Sequence, residues 1–270
     1  MASPLVHLTL RGDVARVELD KPPVNAFDHE LVKALASVVR EFPASGARVA
    51  VFSGRGSCFG AGGDIKWMHA RTAERDSAGL QAFFGAIQKA FDDIERLPMP
   101  TIAAIHGMAL GGGLELALAC DLRVAARDAR IGFPEATIGL IPAAGGTQRL
   151  TEIVGRPIAL ELLYSGRVLG ADDAAALRLI NRLAPADELG AAVDALVSEV
   201  LRSTPAALAA VKGCVRTRMA TGRTAGLFRE RLAVQDLVLD PAAIERLDAF
   251  YRRSTTKTAP QPTELEGALR

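Results

Sequence analysis

The stretch from Pro100 to Asp121 limits the possible folds more than any other part of the chain. Thr101 to Ile105 is a short apolar run with the pattern of a buried strand. Gly107 and the triplet Gly111–Gly112–Gly113 follow, and a helical pattern starts near Gly112. Consecutive glycines allow positive φ and let a ligand come close to the backbone. The N–H groups in the first turn of a helix have no partner within it and lie at the positive end of its dipole, so they suit a developing negative charge. Glu115 falls in that turn and is the only ionisable residue between Gly107 and Cys120. A carboxylate there either complements the dipole or serves as an acid or base, and the stretch alone leaves both readings open.

Composition narrows the classes. The chain has 270 residues, 49% hydrophobic and 23% charged, which suits one globular domain of upper size or one domain with an appendage. A formal net charge of +1 argues against a nucleic-acid-binding domain and leaves room only for local basic patches. Cys58, Cys120 and Cys214 are widely spaced and form no CxxC pair, so they read as reduced thiols, with a cytoplasmic location expected. His7, His29, His69 and His106 lack metal-ligand spacing, and no metal site is expected. No secretory signal is visible at the N-terminus, and no run approaches the ~18 apolar residues of a membrane span. The GxSxG elbow, the GxxxxGK[ST] phosphate loop and the GxGxxG dinucleotide fingerprint are all missing.

Along the chain, Leu5–Leu10 and Val14–Leu19 read as a hairpin closed by Arg11-Gly12-Asp13, a turn rather than an adhesion motif. Pro22 and Pro23 make 21–27 a loop, Asp28 fits an N-cap, and Leu31, Leu35, Val38 and Val39 form a helical stripe. Ala47–Ser53 is a strand, followed by a second glycine-rich turn from Gly54 to Asp64. Two strand–glycine–helix turns can present backbone N–H groups to one point. Asp64 to about Ala90 reads as helical, loosened around Thr72–Ala78, and Ala82–Leu97 carries a stripe of Phe83, Ile87, Phe91 and Ile94 that Pro98 and Pro100 end. Asp121–Ala126 and Ala129–Phe133 are short strands. Glu135 follows in a mostly apolar segment between two prolines, where a carboxylate is either paired or raised in pKa. Strand–helix alternation up to Leu150 argues an α/β arrangement with a largely parallel sheet. Beyond it the pattern is helical: 156–164, 171–179, 188–201, 205–219, 224–239 and 241–252, with one strand at Ile180–Ala184.

Three blocks resemble the crotonase superfamily of enoyl-CoA hydratases and isomerases. They are Cys58-Phe59-Gly60-Ala61-Gly62-Gly63-Asp64-Ile65-Lys66, the run from Ala104 to Ala117, and Phe133-Pro134-Glu135 continuing through Ile141-Pro142 to Gly145-Gly146-Thr147-Gln148-Arg149-Leu150. In this order and spacing they are highly specific, and the likeness extends from the Pro-Val-Asn-Ala loop to about Arg253. The resemblance implies an α/β fold, a crotonase-like spiral of ββα units followed by a helical C-terminal trimerisation region. It divides the chain into a core at 1–195, a helical region at 196–253 and a loose tail at 254–270. It implies that the N–H groups of Gly63 and Gly112 form an oxyanion hole, that Glu115 and Glu135 are catalytic, and that Ala61, Asp64, Ile65 and Lys66 bind substrate. The substrate would be an acyl-CoA, with coenzyme A part of it and no separate cofactor. A homotrimer or homohexamer is expected, with neither nucleic acid nor membrane as partner. Ala143 stands where close hydratases often have glycine, so the turn there must avoid strongly positive φ.

The activity so implied is that of a lyase of fatty-acid metabolism that hydrates a 2-enoyl-CoA. Retention of both glutamates favours it over a 3,2-enoyl-CoA isomerase, which needs one base at Glu135; other lyase, decarboxylase or hydrolase chemistries occur on the same fold. A reading of another class is an RNA-binding protein with residual hydratase activity, because the run Gly111–Asp121 also resembles a methylglutaconyl-CoA hydratase that binds RNA; the balanced charge argues against it as a main role. Lys66 and Arg71 are either a solvated helix face or contacts for CoA phosphates. Trp67 and Met68 are expected to pack, and Phe83, Phe84 and Ile87 to belong to the core.

Overall fold

The computed structural model describes residues 4–257. Its contacts divide the chain into two units, one ending at Arg202 and the other starting at Ser203.

The first unit has mixed α/β architecture. β1 (Val6–Arg11) and β2 (Val14–Leu19) form the expected antiparallel hairpin, with Gly12 at φ 56° in its turn. α1 (His29–Ser45) starts where Asp28 accepts the Leu31 N–H at 3.0 Å, and Gly46 in the left-handed region ends it. β3 (Val49–Gly54), α2 (Ile65–Ala73), α3 (Ser77–Glu95), β4 (Thr101–Ile105), β5 (Met108–Leu110), α4 (Gly112–Ala119), β6 (Leu122–Ala126) and β7 (Arg130–Gly132) follow. A 3₁₀ turn at Glu135–Ile138 leads to α5 (Gly146–Val154), α6 (Arg156–Ser165), β8 (Val168–Gly170), α7 (Ala171–Ala176), β9 (Arg182–Ala184) and α8 (Leu189–Leu201).

One sheet has the order β1-β2-β3-β4-β6-β9, parallel from β2 onward; a smaller one has the order β5-β7-β8. The two faces of the larger sheet bury alternate residues. Phe52, Ala103, Ile105 and Ala125 enter the main core with α1, α3 and α4. Val51, Ile102, Val124 and Ala126 pack instead with Leu189, Val193, Leu196 and Val197 of α8. A strand covered on both sides needs apolar residues at every position, which is why β3 and β4 read as unbroken apolar runs.

Two features differ from the sequence reading. The stretch from Asp64 to Ala90 is two helices, because Arg75 takes a positive φ and Asp76 then caps α3 through the Gly79 N–H at 2.8 Å. β5 and β8, three residues each, carry no period that a sequence can show.

The second unit is helical: α9 (Pro205–Thr221), α10 (Arg223–Leu237) and α11 (Pro241–Lys257). Thr204 caps α9 with Pro205 at its first turn, and Gly222 at φ 92° separates α9 from α10. Gly213 and Gly226 let the pair approach, since an added Cβ on either would lie 3.0 Å from an Arg229 or Arg218 side chain. α11 continues to Lys257, into the stretch expected to be loose, and 258–270 lie outside the described residues. Among the described residues, no helix is long and apolar enough to cross a membrane.

Arg123 ties α4 to the sheet. It is 5% exposed, and its guanidinium donates to the carbonyls of Leu179 (2.7 Å), Cys120 (2.8 Å) and Ala117 (3.1 Å). A cation at a helix C-terminus also meets the negative end of the dipole. Arg123→Met keeps the apolar stem and withdraws the donors, so it is expected to lower folding stability by about 3 kcal/mol or more, read as a lower urea midpoint.

Candidate active site

The two glycine-rich turns are pressed together by backbone contacts. β5 runs beside the first turn: Gly60 N–H donates to Met108 O and Leu110 N–H to Gly60 O, both at 3.0 Å. Phe59 N–H donates to His106 O at 3.0 Å. On the other side Phe27 N–H donates to Gly62 O and Asp64 N–H to Phe27 O, both at 2.8 Å. These bonds use the atoms on either side of Gly63 and leave its own N–H outside the ladder. Gly112 is the first residue of α4, where an N–H has no carbonyl behind it in the helix. Gly113 makes the approach possible: a Cβ there would stand 2.0 Å from the Gly60 carbonyl oxygen. The loop at 21–27 is held to the same place by Asn25, 1% exposed, whose side-chain amide donates to Cys58 O (2.9 Å) and Arg55 O (3.0 Å).

A cavity open to solvent lies against both turns. Gly63, Gly112, Glu115 and Glu135 all line it, so the four residues carried over as oxyanion donors and catalytic carboxylates come together. Its remaining wall is apolar, with Met68, Phe83, Phe84, Ile87, Leu140 and Ile141 prominent. Met68, Phe83, Phe84 and Ile87 therefore do more than fill the core, although Phe83 and Ile87 are also buried in it. Trp67 packs, its ring 4.7 Å from that of Phe83.

The carried-over binding residues stand beside this cavity's wall rather than in it. Ala61 N–H donates to Val24 O at 3.0 Å. Asp64 caps α2 through the Trp67 N–H (3.1 Å) and accepts from the Lys21 ammonium (2.9 Å). Ile65 and Lys66 are exposed, and Arg71 pairs with Glu74 at 3.0 Å.

The two glutamates have unlike surroundings. Glu115 is 3% exposed, and its Oε1 accepts the N–H of Ala144 at 2.6 Å and of Gly146 at 2.8 Å. Burial pushes this carboxyl above its ordinary value, while the Gly146 and Ala144 amides and the Arg149 guanidinium pull the other way. Glu135 sits on the 3₁₀ turn, with its Oε1 so near Gly111 that a Cβ there would be 2.5 Å away. Its Oε2 is buried without a hydrogen-bond partner. Burial raises this carboxyl to about 7, and the neighbouring Glu115 charge adds to the shift. Burial thus raises both carboxyls, but two fixed donors oppose the shift at Glu115 and none reaches the buried oxygen of Glu135. Such a pair can give and take a proton at neutral pH.

Sequence reasoning missed the residues that hold Glu115. The Ala144–Gly146 turn lies 29 and 31 residues away in the chain, and no local pattern announces that its amides face a glutamate. Asp92 and Glu95, which brace that turn through Arg149, were equally silent, and Arg149 was quoted in the third block without a role. Ala143 takes no positive φ, and its carbonyl accepts from Gln88 at 2.7 Å.

Comparison with known proteins points to one family. The sequence model of the family described as "Enoyl-CoA hydratase/isomerase" matches residues 9–250. An enoyl-CoA isomerase/hydratase of Mycosarcoma maydis is 40% identical over 207 residues, 76% of this chain and 74% of that protein. A probable mitochondrial enoyl-CoA hydratase of Arabidopsis thaliana is 35% identical over 89% of this chain and 79% of its own. The crystal structure of an enoyl-CoA hydratase from Bacillus anthracis matches with a TM-score of 0.86 at 30% identity, covering 92% of this chain and 96% of that one.

The Glu135 environment has a consequence for stability. The folded chain keeps this proton up to about pH 7, whereas an unfolded glutamate loses it near ~4.3. Between those values the folded state binds more protons, so stability falls as pH rises, by at most about 1.4 kcal/mol per pH unit. Glu135→Gln removes this slope: relative to the parent it gains stability at about pH 8 and not at about pH 4. Urea unfolding across that range reads the difference, and a parent curve with no such slope would contradict the assignment.

Proposed function

Because the chain belongs to the enoyl-CoA hydratase/isomerase family, we propose that it is an enoyl-CoA hydratase, which reversibly adds water across the 2,3-double bond of a 2-enoyl-CoA thioester. The observation that carries this reading is the convergence of two unlike glutamates and two glycine turns on one apolar-walled cavity.

In the proposed reaction the thioester oxygen faces the N–H groups of Gly63 and Gly112. Water attacks Cβ, the double-bond electrons move toward the thioester, and the oxygen gains enolate charge. Fixed donors in a site of low dielectric stabilise that charge; losing one such donor typically costs about 10²–10³ in rate. Glu115 takes the proton of the attacking water and Glu135 delivers a proton to Cα. The pair holds one proton before and after, transferred in effect from Glu135 to Glu115, and dehydration is the same path reversed. The hydrocarbon wall of Phe83, Phe84, Ile87, Leu140 and Ile141 favours an apolar acyl group. An isomerase would need only one of the two carboxylates, which is why their shared cavity supports hydration.

The coenzyme A part of the substrate would lie toward the side of α2 that carries Ile65 and Lys66. The three cysteines are buried and none is in a disulfide, which supports a reducing, cytoplasmic setting. The reading also implies a homotrimer or homohexamer. In its support, Val211, Val215 and Met219 of α9 and Leu227, Phe228 and Leu232 of α10 are each about half exposed, more apolar surface than a lone helical unit normally leaves in water.

Purified protein is expected to remove the enone absorbance of crotonyl-CoA and to act poorly on a 3-enoyl-CoA. Glu115→Gln and Glu135→Gln should each lower kcat by at least about 10²-fold with the fold intact. Net hydration takes up no proton, so kcat/KM for hydration and dehydration must share one pH profile. Both should fall on the alkaline side near the value of about 7 at which the pair loses its last proton. Near-normal rates in either variant would defeat the assignment.

A further inference from the structure

Arg149 reaches neither the cavity wall nor the place of the reacting atoms, yet it is bound at every end of its guanidinium. Its side chain is 9% exposed. Nε donates to Glu95 at 2.7 Å, Nη2 to Asp92 at 2.6 Å, and Nη1 to the carbonyl of Ala144 at 3.0 Å. Ala144 is also the residue whose N–H donates to Glu115 at 2.6 Å. One peptide segment is therefore gripped on its carbonyl by Arg149 and gives its amide to the carboxylate. The turn is built around this grip: at Gly145, φ 101°, a Cβ would stand 2.2 Å from Nη1, and at Gly146 it would stand 2.9 Å from Glu115 Oε1.

The brace comes from α3. Phe84, Gln88, Asp92 and Glu95 follow one another at spacings of four, four and three, so they form one row along the helix. Phe84 lines the cavity, Gln88 donates to Ala143 O, and Asp92 and Glu95 hold the guanidinium. That row ties the cavity wall to the segment 143–149 at three successive points.

We propose that Arg149 is a positioning residue for the hydration step: braced by Asp92 and Glu95, its guanidinium holds the Ala144 carbonyl and so keeps the Ala144 and Gly146 N–H groups on Glu115. The inference rests on the hydratase reading for the reaction it serves, but the contact itself does not. The charged groups around Glu115 are Arg149 from α5 and Glu135 from the 3₁₀ turn. Those around Arg149 are Asp92 and Glu95, with Arg96 4.0 Å from Asp92. Withdrawing the guanidinium leaves Glu115 with slack amides, no nearby cation, and Glu135 as its charged neighbour. Its ionised form is then disfavoured, and it takes up a proton at higher pH than in the parent.

The test uses Arg149→Met and Arg149→Lys in the full-length protein, with two readouts. One is the pH titration of the Glu115 carboxyl by carbon-13 NMR, assigned with Glu115→Gln; it needs no turnover. The other is kcat and KM for crotonyl-CoA across pH. For Arg149→Met the Glu115 titration and the acid limb of kcat/KM should both move to higher pH, and kcat should fall about 10-fold or more with KM within about twofold. Arg149→Lys keeps the ion pairs, but a single ammonium cannot also span to the Ala144 carbonyl. It should shift both readouts in the same sense and by less, and it carries the test if the methionine variant does not fold. Wild-type titration and kcat in the lysine variant, or a lower kcat with an unmoved Glu115 titration in either variant, would overturn the proposal by reducing Arg149 to a structural ion pair. An inactive parent in which the Glu115 titration still moves would refute the hydratase reading and leave the positioning contact standing.

Discussion

The contact on which the site depends is made between two main chains. Gly60 and Gly113 belong to turns far apart in sequence, and a methyl group at Gly113 would overlap the Gly60 carbonyl. At that separation Gly63 and Gly112 both line one cavity. The rest of the first unit serves this approach. β5 lays the Met108–Leu110 backbone beside Gly60 and pairs with β7. Asn25 is buried because its amide hydrogens are spent on carbonyls of the first turn. The parallel strands β3 and β4 are neighbours in the sheet, so the turns leaving their C-terminal ends start side by side. Strand ends at the carboxyl edge of parallel pairs are where open α/β structures commonly bind ligands.

Given that frame, the chemistry comes from treating two identical side chains differently. Glu115 is the more deeply buried, which by itself would favour the neutral acid, but two amides at 2.6 and 2.8 Å meet one of its oxygens. Hydrogen bonds to a carboxylate from fixed donors are among the stronger ones available. Glu135 is less buried and has a buried oxygen with no donor at all. Burial thus raises both carboxyls, and the two differ in the donors that oppose it, two fixed amides at Glu115 and none at the buried oxygen of Glu135. The low dielectric that makes an unpaired carboxylate costly also makes each of those donors count for more.

What the sequence showed and what it hid divide along chain distance. The hairpin at 6–19, the Asp28 cap, the strand–glycine–helix run at 101–119 and most helices beyond 156 were legible, because each rests on local periodicity or on the chemistry of one turn. The two glutamates and two glycine turns could be named because they sit in recognisable blocks. The break between α2 and α3 was visible only as a loosening, since Arg75 at positive φ has no sequence signature and the cap by Asp76 looks like any surface aspartate. Phe83, Phe84 and Ile87 looked like core because a helical stripe says which side is apolar and not whether that side ends on other side chains or on open space. The contacts of the segment 143–149 were hidden most completely. Its partners are on α3 and α4, and only the folded chain brings Arg149 to Asp92 and Ala144 to Glu115.

This division also explains why an arginine suits position 149. Each contact it makes is a different demand: a carbonyl on one side and two carboxylates on the others, with the geometry fixed by a planar fork. An isolated guanidinium close to the pair would favour ionisation of both glutamates and rob Glu135 of the proton it has to deliver. Asp92 and Glu95 offset that pull, since one cation with two carboxylates is a net negative group. They are also partly exposed, 46% and 40%, so water screens them more than it screens the buried arginine they hold. The bracing thus supplies direction, while the Arg149 charge itself still favours the ionised form of Glu115. The Ala144 amide is aimed by a charged side chain, while burial raises both carboxyls and the amides at Glu115 oppose that rise.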